Sequence, residues 1–134
     1  MDNSVTEVLK INQAFYNTFA AGDYAAMEML WAKLIEVSVI HPGSEILHGH
    51  EAVMISWRQI LENSGGSQIR CSEPKAYILG NAAYVVCKEV FPEGWLIATN
   101  IFVLEEGAWR MVHHQAGPVN QARQQETAST KSIH

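Results

Sequence analysis

Cysteine, clustered positive charge and long apolar runs are all scarce in this chain, and each scarcity closes off a class of function. The two cysteines, Cys71 and Cys87, have no metal-ligand spacing. The strand register derived below sets them roughly 10 Å apart along the sheet, too far to bridge. Reduced thiols are therefore expected. The net charge of -5 comes without any basic run, which speaks against nucleic acid and anionic membrane as partners. No apolar stretch approaches the roughly 18 residues of a membrane span. The opening MDNSVTEVLK is acidic and polar where a secretory signal is basic and then apolar, so a cytoplasmic protein is expected. No nucleophile elbow or matched triad is visible, which removes a serine or cysteine hydrolase. His48 and His50 flank Gly49 as H-x-H but lack a third ligand at fixed spacing, so neither a metal nor a cofactor is expected.

What remains is the composition of one folded domain: 134 residues, 48% hydrophobic, with four Trp, four Tyr and four Phe. From Thr6 to Phe19 the residues Val8, Ile11, Phe15 and Phe19 recur at helical spacing, and Gly22-Asp23 reads as a helix end followed by a fresh N-cap. A short second helix buries Met27, Leu30 and Trp31. Glu36 to Ile40 is a β-branched strand stopped by His41-Pro42-Gly43. A third helix runs from Gly49 to about Asn63 with Val53, Trp57, Ile60 and Leu61 on one face. From Ser67 the period becomes two, and turn signals at Gly80-Asn81, Glu93-Gly94 and Glu106-Gly107 separate four antiparallel strands. Helices first and strands after predict an α+β domain over residues 1–119, its three N-terminal helices covering one face of a curved, mainly antiparallel sheet. Residues 120–134 turn polar and lose periodicity, as a mobile tail does.

Two-residue hairpins pair Leu79 with Ala82, Pro92 with Trp95, and Glu105 with Ala108. Counting outward puts Cys87, Asn100 and His113 in one row, Glu89, Ala98 and Gln115 in the next, and Val85, Phe102 and Met111 on the other side. Leu104 and Trp109 follow. This face grades from apolar to hydrogen-bonding, as the wall of a small-molecule cavity does. The last strand carries the same gradient alone, with Trp109, Met111, His113, Gln115 and Gly117 sharing a side. The opposite face, with Tyr84, Val86, Ile101, Val103, Val112 and His114, is also largely apolar. It predicts a homodimer through the sheet.

HPG at His41 to Gly43, Gly49, SW at Ser56-Trp57, ATN at Ala98 to Asn100 and WRMVHH at Trp109 to His114 together resemble the SnoaL-like branch of the nuclear transport factor 2-like superfamily. The resemblance covers about Val5 to Val119. It implies a cone-shaped barrel with a deep cavity between helices and sheet, commonly dimeric. The family hosts isomerases, dehydratases, polyketide cyclases, epoxide hydrolases, and members that only bind or assemble. Relatives whose last strand runs His-x-His-x-Ser differ from this chain, which has His113, Gln115 and Gly117. Members that use a catalytic aspartate differ too, because Asp2 and Asp23 are the only aspartates here and neither reaches the cavity wall. Any acid-base chemistry thus falls to His113, Glu89 or His41.

Glu89 and His113 form either a proton-moving pair or a satisfied buried ion pair. Asn100 holds either a ligand carbonyl or the imidazole. Phe15, Phe19, Trp31 and Trp57 roof the cavity or simply fill the core, and His41 binds ligand or ends its strand. The leading expectation is a small-molecule-binding protein whose organic ligand meets Trp57, Phe102, Trp109, Asn100, His113, Glu89 and Gln115. One alternative is a cofactor-independent isomerase, dehydratase or cyclase using His113. Another is a non-catalytic dimerisation or assembly module.

Overall fold

The computed structural model describes residues 3–64 and 67–120, so the expected tail from Gln121 onward lies outside the described residues. In chain order the elements are α1 (Ser4–Ala21), α2 (Tyr24–Leu30), β1 (Ser38–Ile40), β2 (Ile46–His48) and α3 (His50–Ser64). The long strands β3 (Arg70–Leu79), β4 (Ala82–Phe91), β5 (Gly94–Glu105) and β6 (Ala108–Pro118) follow. Gly22, in the left-handed region at φ 69°, ends α1, its N–H bonding to the Phe19 carbonyl at 3.1 Å. Asp23 then caps α2 by accepting from the Ala26 N–H at 3.1 Å. No helix among the described residues is long and apolar enough to cross a membrane.

The α+β architecture is as expected, with the helices on one face of a six-stranded sheet ordered β2-β1-β6-β5-β4-β3. The edges β2 and β3 stay apart, so the sheet does not close into a barrel. β1 runs parallel to β6, and the remaining pairs are antiparallel. Strand β2, too short to show a period, has no counterpart in the sequence reading. Phe15, Met27, Trp31, Val53 and Trp57 from the helical layer meet Val85, Phe102 and Met111 from the sheet in one core. The segment after α2 is clamped to the sheet: the Ala32 N–H bonds to the Met111 carbonyl, and the Glu105 carboxylate accepts from the Lys33 and Leu34 N–H groups. These amide donors hold the Glu105 carboxyl below the usual carboxylate range.

Three departures from the expected register decide which side chains meet. First, the β4–β5 turn is Pro92-Glu93, with Phe91 opposite Gly94. Proline presets the first turn residue, and Gly94 takes a φ of 154° that a side chain resists. Faces are preserved but rows slide, so Cys87 lies opposite Ala98, Val85 opposite Asn100, and Glu89 opposite Leu96.

Second, Glu105 faces Ala108 as expected, but a β-bulge then leaves Val112 without a partner, between the pairs Phe102–Met111 and Ile101–His113. Because side chains alternate, the extra residue turns His113 and Gln115 to the outer face and brings His114 inward, opposite Asn100. Third, β3 is irregular between Ser72 and Lys75, where Pro74 cannot donate to the ladder and Glu73 sits at φ 55°. Cys71 consequently faces Glu89 rather than Val90. That puts it diagonally beside Cys87, and the two free thiols are neighbours on one face instead of standing apart.

Deleting Val112 removes the extra residue and leaves Met111 opposite Phe102, His113 opposite Ile101 and His114 opposite Asn100, so the inward histidine keeps its partner. A folded variant with a Tm close to the parent's is expected by circular dichroism, and loss of the folded state would contradict the bulge.

Candidate functional site

The hydrogen-bonding end of the interior is built from α1, β4, β5 and β6. Asn12 and Tyr16 stand one turn apart on the inward face of α1, and both are buried. Glu89, Asn100 and His114 meet them from three neighbouring strands, each at most 2% exposed. The Asn100 amide nitrogen donates to Asn12 Oδ1 at 2.8 Å and to the Tyr16 hydroxyl at 3.1 Å. Its carbonyl oxygen accepts from His114 Nδ1 at 2.5 Å. Tyr16 in turn donates to Glu89 Oε2 at 2.7 Å, and Asn12 reaches Cys71 Sγ at 3.5 Å. The cluster is closed by His114 Nε2, which lies 3.7 Å from Glu89 Oε2.

Hydrogen-bond direction fixes the tautomer. The Asn100 amide nitrogen is occupied by two acceptors, so its oxygen must take the proton on His114 Nδ1, and His114 Nε2 offers a lone pair toward Glu89. Burial pushes the Glu89 carboxyl up to about 7, although the Tyr16 hydroxyl opposes the shift. Burial, with His41 and His113 nearby, drives the His114 imidazole down to about 3. At 3.7 Å the pair has the spacing of a salt bridge, yet both partners are neutral in mildly acidic solution because neither charge is solvated. Burial also raises the Tyr16 phenol, keeping it a donor.

An aromatic wall continues from this cluster. Trp57 packs against Phe15 at 5.4 Å, Phe19 at 5.3 Å, His114 at 5.7 Å and Trp31 at 6.4 Å between ring centroids. His41, half-buried, stands edge-on to Trp57 at 4.9 Å and bonds through Nε2 to the Ser56 hydroxyl at 2.9 Å. The indole nitrogens of Trp31 and Trp57 are sealed from solvent with no hydrogen-bond acceptor in reach. Such a buried donor costs about 1–3 kcal/mol. Beyond Glu89, a cleft of about 290 Å³ lined by Phe91, Glu93, Gly94, Trp95 and Leu96 opens at the β4–β5 turn. Phe91 follows Glu89 on the same strand face, and Leu96 is the cross-strand partner of Glu89.

The structure thus brings together Glu89, Asn100, Phe15, Phe19, Trp31, His41 and Trp57. Phe102 and Trp109 are also inward, but farther along the apolar end of the sheet. His113 and Gln115 are not part of the cluster: the bulge at Val112 turns both away, His113 bonding to the Ser38 hydroxyl at 2.7 Å and Gln115 being exposed. Asn12 and Tyr16 have no place in the sequence reading, and His114, expected on the outer face, stands inward because of the bulge. The signal for the first two was a polar pair one turn apart beside Phe15 on an apolar helix face.

The sequence profile of the SnoaL-like domain matches residues 8–120. Among curated proteins, the F-box protein SKIP8 of Arabidopsis thaliana is 27% identical over 111 residues, covering 81% of this chain and 48% of that protein. The chain thus spans about half the length of that relative. Among solved structures, a proposed dehydratase of the NTF2-like family from Streptomyces avermitilis superposes with a TM-score of 0.80 at 29% identity, covering 89% of this chain and 98% of that one. A proposed calcium/calmodulin-dependent protein kinase type II association domain from Thiobacillus denitrificans gives 0.74 at 27% identity, over 82% and 93% of the two chains. An uncharacterised protein with a cystatin-like fold from Caulobacter vibrioides gives 0.75 at 15% identity, over 92% and 95%, a likeness of fold alone.

The neutral pair has a measurable signature. Unfolded, Glu89 titrates near 4.5 and His114 near 6.5; folded, they titrate near 7 and 3. Between pH 4.5 and 6.5 the folded chain carries the proton on Glu89 and the unfolded chain carries it on His114, so the pair adds no net pH slope to stability. Glu89→Gln leaves only His114, whose folded pKa is depressed, so stability should rise as pH increases from about 3 to 6.5. His114→Gln leaves only Glu89, whose folded pKa is raised, so stability should fall by roughly 3 kcal/mol between pH 4.5 and 7. Urea unfolding of both variants across this range tests the pair, and parallel profiles in the two would refute it.

Proposed function

This chain belongs to the SnoaL-like family, and from that premise we propose that it binds a small organic molecule against the Tyr16, Glu89, Asn100 and His114 cluster and moves a proton on it without a cofactor. The observation that carries this reading is a carboxyl group held at about 7 in an otherwise neutral, shielded interior. A general base is most effective when its pKa lies near the working pH, and an ordinary surface glutamate is too weak a base for that task. Glu89 is the base when ionised and the acid when protonated. Tyr16 and the neutral His114 adjoin it, so a proton accepted by Glu89 meets donors and a lone pair without a water shell to compete. The cleft at Phe91 and Leu96 supports entry from the β4–β5 end. Isomerisation or dehydration beside a carbonyl is the class of reaction that such a set performs. The similar structure from Streptomyces avermitilis, itself described as a proposed dehydratase, agrees in kind.

A second role is favoured by the outer face. Tyr84, Val86, Ile101 and Val103 are half-buried there, Tyr77 stacks on Tyr84 at 4.7 Å, and Ile97 and Leu79 are 40% and 63% exposed. Pairing this surface with a second copy of the chain removes a largely apolar sheet face from water. The likeness to an association domain supports assembly through this fold as well. Dimerisation and interior chemistry use opposite faces and do not compete.

Exchange of α-protons in a panel of small ketones, followed by NMR in D₂O, tests the interior. The protein should accelerate exchange of at least one ketone, with a rate that rises as pH passes through about 7. Glu89→Gln should lower that rate about 10²- to 10⁴-fold. Equal rates with and without the carboxylate would discard Glu89 as the base. For the outer face, sedimentation velocity at micromolar concentration should show a dimer that Ile101→Lys converts to monomer, whereas a monomeric parent chain would overturn the pairing.

A further inference from the structure

The buried polar side chains of the interior cluster, Asn12, Tyr16, Ser56, Glu89, Asn100 and His114, all have hydrogen-bond partners within the protein. The indole N–H groups of Trp31 and Trp57 do not, although both residues are 0% exposed. Phenylalanine would fill the same apolar wall without burying a donor, so two neighbouring tryptophans with idle N–H groups stand out beside this satisfied cluster. We infer that the ligand of this site carries an uncharged hydrogen-bond acceptor, a carbonyl or ether oxygen, received by the indole N–H of Trp57 with Trp31 beside it. The inference rests on the ligand-binding reading above and extends it from the reacting end of the molecule to its other end.

The surroundings restrict the acceptor's charge. The rings packed on Trp57 are those of Phe15, Phe19, Trp31, His41 and His114, and none carries a fixed positive charge. Burial holds both imidazoles toward their neutral forms. A carboxylate or phosphate placed there would lose its hydration and gain at most single neutral N–H bonds, whereas a neutral oxygen gives up far less water. Position restricts its length. The Trp57 and His114 rings are in contact at 5.7 Å between centroids and His114 Nε2 lies 3.7 Å from Glu89, so a molecule that reaches both ends must part packed rings and is held to the scale of a single small ring.

The test uses the full chain labelled with ¹⁵N in its indoles and two probes of matched shape, cyclohexanone and methylenecyclohexane, which differ in the acceptor oxygen. Cyclohexanone should shift the Trp57 indole resonance downfield, as a new hydrogen bond does, and bind at least tenfold more tightly than the hydrocarbon. Trp57→Phe should abolish that preference while still admitting methylenecyclohexane. If both probes bind the parent chain equally and move the indole signals alike, the interior takes ligands but the indole donor is not used, and the inference falls while the ligand-binding reading stands. If neither probe binds nor moves either indole signal, both fall together. Should Trp57→Phe fail to fold, the two probes' effects on the parent chain decide the matter alone.

Discussion

The Asn100 side chain is the joint on which the interior turns. Its amide bonds to two α1 residues, Asn12 and Tyr16, and its carbonyl to His114 on β6, so one planar group holds a helix and two strands at fixed separation. Replacing it with an apolar side chain would leave Asn12 Oδ1 and His114 Nδ1 buried without their partner and take one bond from Tyr16, which keeps Glu89. The arrangement also sets chemistry, because the orientation of this amide dictates which imidazole nitrogen carries the proton. The lone pair of His114 is thereby aimed at Glu89.

From that geometry follows an unusual division of charge. A carboxylate and an imidazolium at 3.7 Å would attract each other, but the desolvation of both ions outweighs the attraction in an interior this closed. The proton rests on Glu89, and the pair is neutral. Such a pair is poorly suited to rigidifying a fold through charge and well suited to passing a proton, since ionisation of Glu89 near neutrality requires little driving force. The neighbouring thiols belong to the same environment: Cys87 bonds to Tyr16, and its thiol is pushed up by Cys71 and by burial.

Much of this architecture was legible before any coordinates. Helical spacing located α1, α2 and α3, turn residues separated the four long strands, and alternation assigned the inward faces of β4 and β5 correctly. Hence Glu89, Asn100, Phe102, Trp31 and Trp57 fall inside as read. The last strand failed beyond Met111, where Val112 is an ordinary β-branched residue and carries no mark of the bulge it makes. The sequence Val-His-His then places either imidazole inward with equal ease. A local pattern cannot choose between them, because what selects His114 is the Asn100 carbonyl opposite and the pairing of β1 along β6.

Residue order alone determined the class of fold, the family, the faces of the helices and the presence of one glutamate on an inward strand face, because these follow from periodicity and turn chemistry within a few neighbouring positions. The tertiary structure decided which histidine meets that glutamate, that Tyr16 and Asn12 join it, and that two indole donors lie buried without acceptors. Those outcomes depend on contacts between separate elements, 14 to 88 positions apart, and on desolvation that exists only once helices close over the sheet. A pKa is a property of surroundings, and the surroundings of Glu89 are assembled from α1, β4, β5 and β6.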